Sequence, residues 1–176
     1  MKKLVLTWLV CVVLAGCSTT IPVNYTASPV VKGIGDVAIL QSRYVPYEKG
    51  EVEVNEIQKK SLAIGTIKIS SNVDDFFTKA LQKEFIASGV EVTDNSRLKV
   101  IATINQLLND WIGTHEDYYL KVNYELLKDD KLIYSKEIET HIKSGKNSNF
   151  VISGINLVVS DNIGEFLRDL KTKNII

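Results

Sequence analysis

Between residues 98 and 126, apolar and polar side chains alternate along two separate stretches of the sequence. A period of two places the apolar side chains on one face of a β-strand, because successive side chains of a strand point to opposite faces. The pattern therefore predicts two strands of a sheet with one buried and one more polar face. The alternating apolar positions are Leu98, Val100, Ala102 and Ile104, followed by Tyr118, Leu120, Val122, Tyr124 and Leu126.

Further strands are predicted on both sides of this pair. Residues 128–131, with the sequence Lys-Asp-Asp-Lys, are a candidate tight turn, and residues 132–142 return as a third strand. Upstream, residues 37–40 and 62–69 are short apolar runs that fit strands. The stretch 44–60 fits either a long loop or an irregular hairpin.

Two amphipathic helices complete the predicted elements. The first begins near Ser71, the predicted N-cap, with Asp74 and Asp75 at the positive end of the helix dipole, and Gly89 follows its C-terminus. The second covers about residues 153–173. Their apolar stripes are formed by Val73, Phe76, Phe77, Ala80, Leu81 and Phe85, and by Ile155, Val158, Val159, Ile163, Phe166, Leu167 and Leu170.

The order of these elements is one or more strands, a helix, three antiparallel strands and a helix. Such a sheet can bury one face under both helices. The sequence therefore predicts an α+β fold, a two-layer sandwich of a mainly antiparallel sheet with two amphipathic helices packed on one face. Residues 33–176 are expected to form this single domain.

The N-terminus has the features of a secretory signal peptide. Lys2 and Lys3 precede an apolar run over residues 4–14, and the small residues Ala15 and Gly16 follow. The run is too short to cross a bilayer, which needs roughly 20 apolar residues. Residues 1–16 are therefore predicted to be removed.

Leu14, Ala15, Gly16 and Cys17 resemble the lipobox of bacterial lipoproteins. The resemblance implies that diacylglycerol is attached to the thiol of Cys17, that cleavage follows Gly16, and that the new amino terminus can be acylated as well. Because Cys11 lies in the removed segment, the mature chain has no free thiol and no disulfide. Two or more acyl chains anchor a protein stably to a membrane.

The lipid would hold the domain in the cell envelope. Residues 17–32 contain Thr, Ser, Pro and Asn with little periodicity, and we predict that they form a flexible tether. Ser18 follows Cys17 where, by resemblance to enterobacterial sorting, an aspartate would retain the protein at the inner membrane. An outer-membrane anchor is therefore favoured in a Gram-negative source, with the domain in the periplasm or, as an alternative, exposed at the surface.

The charge distribution argues against nucleic-acid binding. The precursor has 21 basic and 21 acidic residues, and loss of Lys2 and Lys3 leaves 19 against 21. The sequence contains no block rich in lysine or arginine, which is the usual electrostatic footprint for nucleic acid or anionic lipid.

Residues that could support catalysis are sparse. His115 lies in a polar connection and His141 in a strand, without the spacing of a metal site, and no G-x-S-x-G motif is present. Gly33 and Gly35 precede a strand, whereas a dinucleotide fingerprint follows one. The paired carboxylates occur at a helix start or in turns. We expect no enzyme activity, no catalytic residue, no cofactor and no metal.

Aromatic residues offer a candidate partner surface. Trp111 and Tyr119 flank a predicted loop, and Tyr119 falls on the polar phase of its strand. Exposed aromatic side chains bury a large area in an interface at small entropic cost. The alternative is that these rings cap the end of the core.

The lipobox, the helix ending "LQKEFIASGVEV", the strand "RLKVIATINQL" and the hairpin "YYLKVNYELLKDDKLIYSKEI" together resemble the YajG-like family of small bacterial lipoproteins. The resemblance extends from about Val37 to Ile176. It implies a helix that closes on a glycine, then a long hairpin and a C-terminal helix. It supplies no catalytic residue.

Three functions are compatible with these features. The first is a non-enzymatic binding or scaffolding lipoprotein with a protein partner in the envelope. The second is an accessory subunit of an envelope machine that transports lipid or glycolipid, and the third is a hydrolase of envelope polymers. A homo-oligomer is also possible through an edge strand such as the one carrying His141.

Overall fold

The computed structural model describes residues 18–60, 65–112, 115–143 and 150–176. The predicted cleavage residues Leu14, Ala15 and Gly16 and the predicted lipidation site Cys17 lie outside the described residues. The described strands are β1 (Ser18–Ile21), β2 (Asp36–Ile39), β3 (Arg43–Tyr44), β4 (Glu56–Lys59), β5 (Thr66–Ile69), β6 (Glu91–Val92), β7 (Leu98–Ile112), β8 (His115–Lys128) and β9 (Lys131–Lys143). The described helices are α1 (Val45–Glu48), α2 (Val73–Ala87) and α3 (Phe150–Thr172).

The three strands predicted between residues 98 and 142 are confirmed as β7, β8 and β9, which form an antiparallel meander. Val100, Ala102 and Ile104 of β7 are fully buried, and so are the alternate residues of β8 from Tyr118 to Leu126. The register shifts between Ile104 and Gln106, so that Asn105 is an extra residue in β7. This bulge exchanges the two faces of the strand, and Leu107 and Asn109 are buried beyond it.

The other edge of β7 pairs with three short strands in succession. β2 pairs at Lys99 and Val100, β3 at Thr103 and Ile104, and β4 at Leu108 and Asn109, and all three run parallel to β7. β6 adds to β2 in parallel, while β5 is antiparallel to β4 and parallel to β1. The result is a curled mixed sheet.

The prediction of a mainly antiparallel two-layer sandwich is therefore wrong. Each contact of β2, β3 and β4 with β7 covers two residue pairs, which is too short to produce an alternating pattern in the sequence. Strand direction also depends on the connections, and periodicity carries no information about direction. The stretch 44–60, which fitted a loop or an irregular hairpin, contains α1 and β4.

Both amphipathic helices are confirmed. α2 begins after Asn72 rather than after Ser71, and the Asn72 side chain makes no capping hydrogen bond. At the other end Gly89 has a φ of +88°, as its position predicts. The amide of Val90 donates to the carbonyl of Phe85 and the amide of Gly89 to that of Ile86, which is a Schellman motif.

The two helices share one core with the sheet. α3 lies across β8 and β9, and α2 lies against α3 and the short strands β2, β3 and β6. Phe166 of α3 stacks on Tyr124 of β8 at 4.0 Å between ring centroids, and Phe85 of α2 meets Phe166 edge-on at 6.2 Å. These rings join both helices to the long hairpin.

Residues 18–32, here named the N-terminal strap, lie against the domain. β1 pairs with β5, and the hydroxyl of Tyr25 donates to the buried carboxylate of Glu84 on α2 at 2.5 Å. The amide of Ser28 donates to the same oxygen at 2.9 Å, and the Lys83 amine donates to the carbonyl of Tyr25 at 2.8 Å. The described residues of the strap thus contact β5 first and α2 further along, through backbone groups as well as the Tyr25 hydroxyl. That residues 17–32 act as a flexible tether stays a prediction.

Candidate functional site

A groove of about 550 Å³ lies at the end of the sheet where β7 begins and the β8–β9 hairpin turns. Segments from four parts of the chain meet there: the turn before β2, the turn before β7, the hairpin, and the residues after α3. The lining residues are Ile34, Gly35, Asp36, Asn95, Ser96, Arg97, Leu98, Lys128, Ile133, Asn174, Ile175 and Ile176.

The hairpin turn forms one wall of the groove and is braced by two ion pairs. Asp129 and Asp130 have φ of 52° and 61°, the left-handed pair of a type I′ turn, which confirms the predicted turn at residues 128–131. The Arg97 guanidinium binds both carboxylate oxygens of Asp129, and the Lys99 amine lies 2.7 Å from a carboxylate oxygen of Asp130. The hydrogen bond from Arg97 lowers the pKa of Asp129.

The rim of the groove is apolar and exposed. Ile34 is 78% exposed and Ile133 is 47% exposed, and both line the groove. Leu132, beside Ile133, is 57% exposed. A contact that covers these aliphatic side chains gains about 25 cal/mol of free energy for each Å² of apolar surface that it removes from water. This cluster is therefore suited to binding.

The polar side chains that line the groove include a hydroxyl, a carboxylate, two amides and two cations. The hydroxyl of Ser96 donates to the carbonyl of Asp36 and accepts from the amide of Leu98, so it holds the turn in place. Lys128 is exposed at the rim. Across the described part of the chain, no three His, Cys, Asp or Glu side chains are grouped as a metal site would require. The groove thus combines apolar side chains with cationic, amide and carboxylate groups in its lining.

The predicted partner residues Trp111 and Tyr119 lie at the other end of the sheet, and the structure does not bring them together. Trp111 is opposite Glu116 and Tyr119 is opposite Leu108 in the β7–β8 pairing, so three positions separate them along each strand. An odd separation puts two side chains on opposite faces. Trp111, 54% exposed, extends the core face, whereas Tyr119 is on the outer face.

On the outer face, Tyr119 stacks on His141 with 4.1 Å between ring centroids. Nε2 of His141 lies 3.2 Å from a carboxylate oxygen of Asp117. His141 is exposed on β9, the outermost strand in the described pairing with β8, as the sequence indicates. The ring of His141 covers part of Tyr119. The accessible surface of Tyr119 is therefore smaller than expected for a residue that alternates with the apolar positions of its strand.

On the core face, a polar cluster lies beneath Trp111. The hydroxyl of Tyr118 donates to a carboxylate oxygen of Glu116 at 2.6 Å, and the amide of Asn109 donates to the same oxygen at 3.1 Å. Burial, followed by the hydrogen bond with Glu116, raises the pKa of Tyr118. His115 is the first residue of β8, opposite Ile112, rather than part of a loop.

The groove residues were not identified from the sequence. Ile34 stands between two glycines, and Leu132 and Ile133 are adjacent apolar residues directly after a charged turn. Adjacent apolar residues break the alternation of a strand, so one of them must face solvent; this was the available signal. The approach of residues 174–176 to the same place could not be inferred, because it depends on the path of α3.

Comparisons with known proteins identify the fold but not a family. No protein-family model matches the sequence. A stretch is 29% identical over 116 residues to the RNA-directed RNA polymerase L of human respiratory syncytial virus, covering 62% of this chain and 5% of that protein. The chain thus spans a small fraction of the length of the polymerase.

Solved structures show similar folds. Protein XCC0632 from Xanthomonas campestris, of family model DUF330, has a TM-score of 0.68 at 12% identity, covering 85% of this chain and 92% of its own. The hypothetical protein CT253 from Chlamydia trachomatis has a TM-score of 0.52 at 11% identity, covering 80% and 96%. A minor lipoprotein from Acinetobacter baumannii has a TM-score of 0.45 at 9% identity, covering 79% and 94%, which supports no argument about function. The curled mixed sheet with its helices is therefore a fold shared with bacterial proteins, and the resemblance to the YajG-like family stays a prediction.

Proposed function

We propose that this chain is a bacterial lipoprotein, anchored through Cys17 to the outer membrane, whose domain is a non-enzymatic binding module of the cell envelope. The lipobox at residues 14–17 supports the anchor. Among the described helices, none is long and apolar enough to cross a membrane.

The observation that carries the proposal is the position of the groove relative to the N-terminal strap. Thr19 of β1 is opposite Ile67 of β5, which is opposite Ile57 of β4. Gln58, the next residue of β4, is opposite Leu108 of β7. Leu108 is ten residues along β7 from Leu98, which lines the groove. At about 3.3 Å per strand residue, the anchor and the groove are roughly 30 Å apart, at opposite ends of the sheet. The groove would thus face away from the membrane, where a partner can reach it.

The anchor is tested by substitution of the lipidated residue. In cells fed labelled palmitate, the wild-type protein should carry the label and partition with membranes. Cys17→Ala should lose the label and accumulate as the uncleaved precursor, because the thiol that receives diacylglycerol is absent. A Cys17→Ala protein that keeps the label would disprove the lipidation site.

The groove is tested by photo-cross-linking in intact cells. A photoreactive amino acid in place of Ile133 should give a discrete cross-linked species whose protein component is identified by mass spectrometry. The matched control is the same amino acid at Leu157, which is similarly exposed at 45% but lies on α3 outside the groove lining. Equal cross-linking at both positions, or none at Ile133, would contradict a binding role for the groove. Capture of a transporter subunit would instead assign the domain to a lipid or glycolipid transport machine.

A further inference from the structure

The end of the sheet opposite the groove carries Trp111 together with three lysines, at the point where the described chain begins. We propose that this end rests on the membrane surface, with Trp111 inserted at the boundary between headgroups and acyl chains. This inference rests on the proposed lipidation of Cys17, and it assigns to the domain one fixed orientation on the bilayer.

The strand register brings these residues to one end. Ser18 is opposite Thr66, and the pairing of β5 with β4 puts Lys59 beside the start of β5, where its amine donates to the carbonyl of Gly65 at 2.6 Å. Lys59 is opposite Asn109 of β7, two residues before Trp111. At the far side of the same end, Lys143 of β9 is opposite Asp117 of β8.

The N-terminal strap leaves no slack between an anchor at Cys17 and this end of the sheet. Ser18, the residue after Cys17, is already paired with Thr66, and the pairing continues to Ile21, whose carbonyl accepts from the amide of Ser70. Consecutive Cα atoms are about 3.8 Å apart. A lipid on Cys17 would therefore hold β1 and its neighbours at the level of the headgroups.

The chemistry of this end fits an interface between water and lipid. Trp111 is 54% exposed, and tryptophan is enriched at membrane interfaces because its ring is apolar while its N–H can donate to polar groups. Lys59, Lys60 and Lys143 are exposed at the same end. The amines of Lys59 and Lys60 are bound within the protein, to the Gly65 carbonyl and to Asp110, and the long stem of a lysine can lie on apolar surface while its amine stays in water.

Charge contributes little to this contact. Among the described residues of this end, Lys60 lies 2.7 Å from Asp110, and Asp117 and Glu116 are also present, so three described carboxylates balance the three described amines. Attraction to anionic lipid is therefore small, and the acyl chains supply the affinity. Trp111 instead determines which surface faces the bilayer, and the depth of its ring should change little with salt concentration.

The single tryptophan of the mature chain allows a direct test. The sequence contains Trp8 and Trp111, and Trp8 is in the segment predicted to be removed. Mature lipidated protein is reconstituted into vesicles of phosphatidylethanolamine and phosphatidylglycerol, with bromine on part of the acyl chains close to the headgroup. We expect loss of Trp111 emission in the brominated vesicles, and a shift to shorter wavelength relative to the protein in detergent-free buffer after removal of the lipid.

The matched control moves the probe to the groove. The double variant Trp111→Phe with Ile133→Trp carries its only mature tryptophan at the opposite end, and its emission should be unaffected by bromine. Circular dichroism confirms that both proteins are folded. Equal quenching of the two probes would show a domain without fixed orientation and would overturn the inference.

Three further outcomes separate this inference from the proposed function. If palmitate-labelled protein shows no quenching of Trp111, the lipid anchor stands and the membrane contact is wrong. The same holds if the Trp111 spectrum shifts with protein concentration but not with bromine, because a second copy then covers the ring. If the protein carries no label at all, the proposed function itself fails.

Discussion

Gly89 shows how one residue determines the end of an element. Its φ of +88° lies in the left-handed region, and the two hydrogen bonds of the Schellman motif depend on that conformation. A Cβ at this position would meet the carbonyl oxygen of Gly33 at 3.4 Å, an ordinary contact. The requirement for glycine is therefore one of backbone conformation, and it was readable from the sequence.

We predict that Gly89→Ala lowers the free energy of unfolding by about 1–2 kcal/mol, the cost of left-handed backbone for a residue with a Cβ. Gly89→Asn should lose less, because asparagine tolerates this conformation. Urea denaturation of the three proteins measures both effects. An alanine variant as stable as wild type would show that the turn can relax.

Glu84 is a residue whose structural role, unlike that of Gly89, could not be predicted from the sequence. Its side chain lies on the helical face that also carries Leu81 and Phe85, and it is 1% exposed. A glutamate in a helix is usually solvated. Here it is buried because Tyr25 and Ser28, more than fifty positions away in the sequence, donate to one of its oxygens.

At the scale of elements, α3 is attached to the sheet through Asn162, which is fully buried. The hydroxyl of Tyr124 donates to its side-chain oxygen at 2.7 Å. Its amide nitrogen donates to the carbonyl of Ile138 at 3.1 Å and to the hydroxyl of Thr140 at 3.0 Å. A single side chain thus connects α3 to both β8 and β9.

Asn162→Leu should destabilise the protein by about 1–3 kcal/mol, because the buried hydroxyl of Tyr124 loses its acceptor. Adding Tyr124→Phe removes that unpaired hydroxyl, so the double variant should be more stable than the sum of the single losses implies. Urea denaturation of the four proteins of this cycle gives the coupling energy. Strictly additive losses would show that the two side chains do not act together.

The elements themselves were predictable wherever a periodic pattern ran for several turns or several alternations. β7, β8, β9, α2 and α3 all appear near their predicted positions. The bulge at Asn105 was not predictable, because Leu107 and Leu108 are adjacent apolar residues and either of them fits the alternation of a strand. Its consequence is large, since it selects which of Leu107 and Leu108 enters the core.

At the scale of the whole molecule, the core is rich in tyrosine. Burial is the largest cause that raises the pKa of Tyr25, Tyr44, Tyr118, Tyr124 and Tyr134 above the ordinary value. In the unfolded chain these phenols ionise near pH 10. Above that pH the unfolded state binds fewer protons than the folded state, so stability falls as pH rises.

We therefore predict that the free energy of unfolding falls above about pH 10 more steeply than one tyrosine could cause. Below about pH 10 these five tyrosines do not change the free energy of unfolding as the pH varies. Tyr44→Phe should make the alkaline decline shallower, since Tyr44 is one of the buried phenols, and comparison with wild type cancels the effect of lysine deprotonation. Urea titrations at a series of pH values measure the slope, and identical slopes for both proteins would contradict the assignment.

By itself, the sequence determined the local elements and the predicted lipid anchor. Alternation specifies strands, helical spacing specifies apolar stripes, and residues 1–17 carry their signals in contiguous positions that need no fold to be read. The domain limits and the anchor itself stay predictions.

Only the tertiary structure decided how the strands pair, where the N-terminal strap lies and which residues surround the groove. The parallel pairing of β2, β3 and β4 with β7 depends on contacts of two residues each, and the groove gathers Ile34, Arg97 and Ile133 from three distant segments. The two partner candidates, Trp111 and Tyr119, were separated for the same reason. Which side chains meet is determined by strand register and chain path, and neither leaves a periodic trace in the sequence.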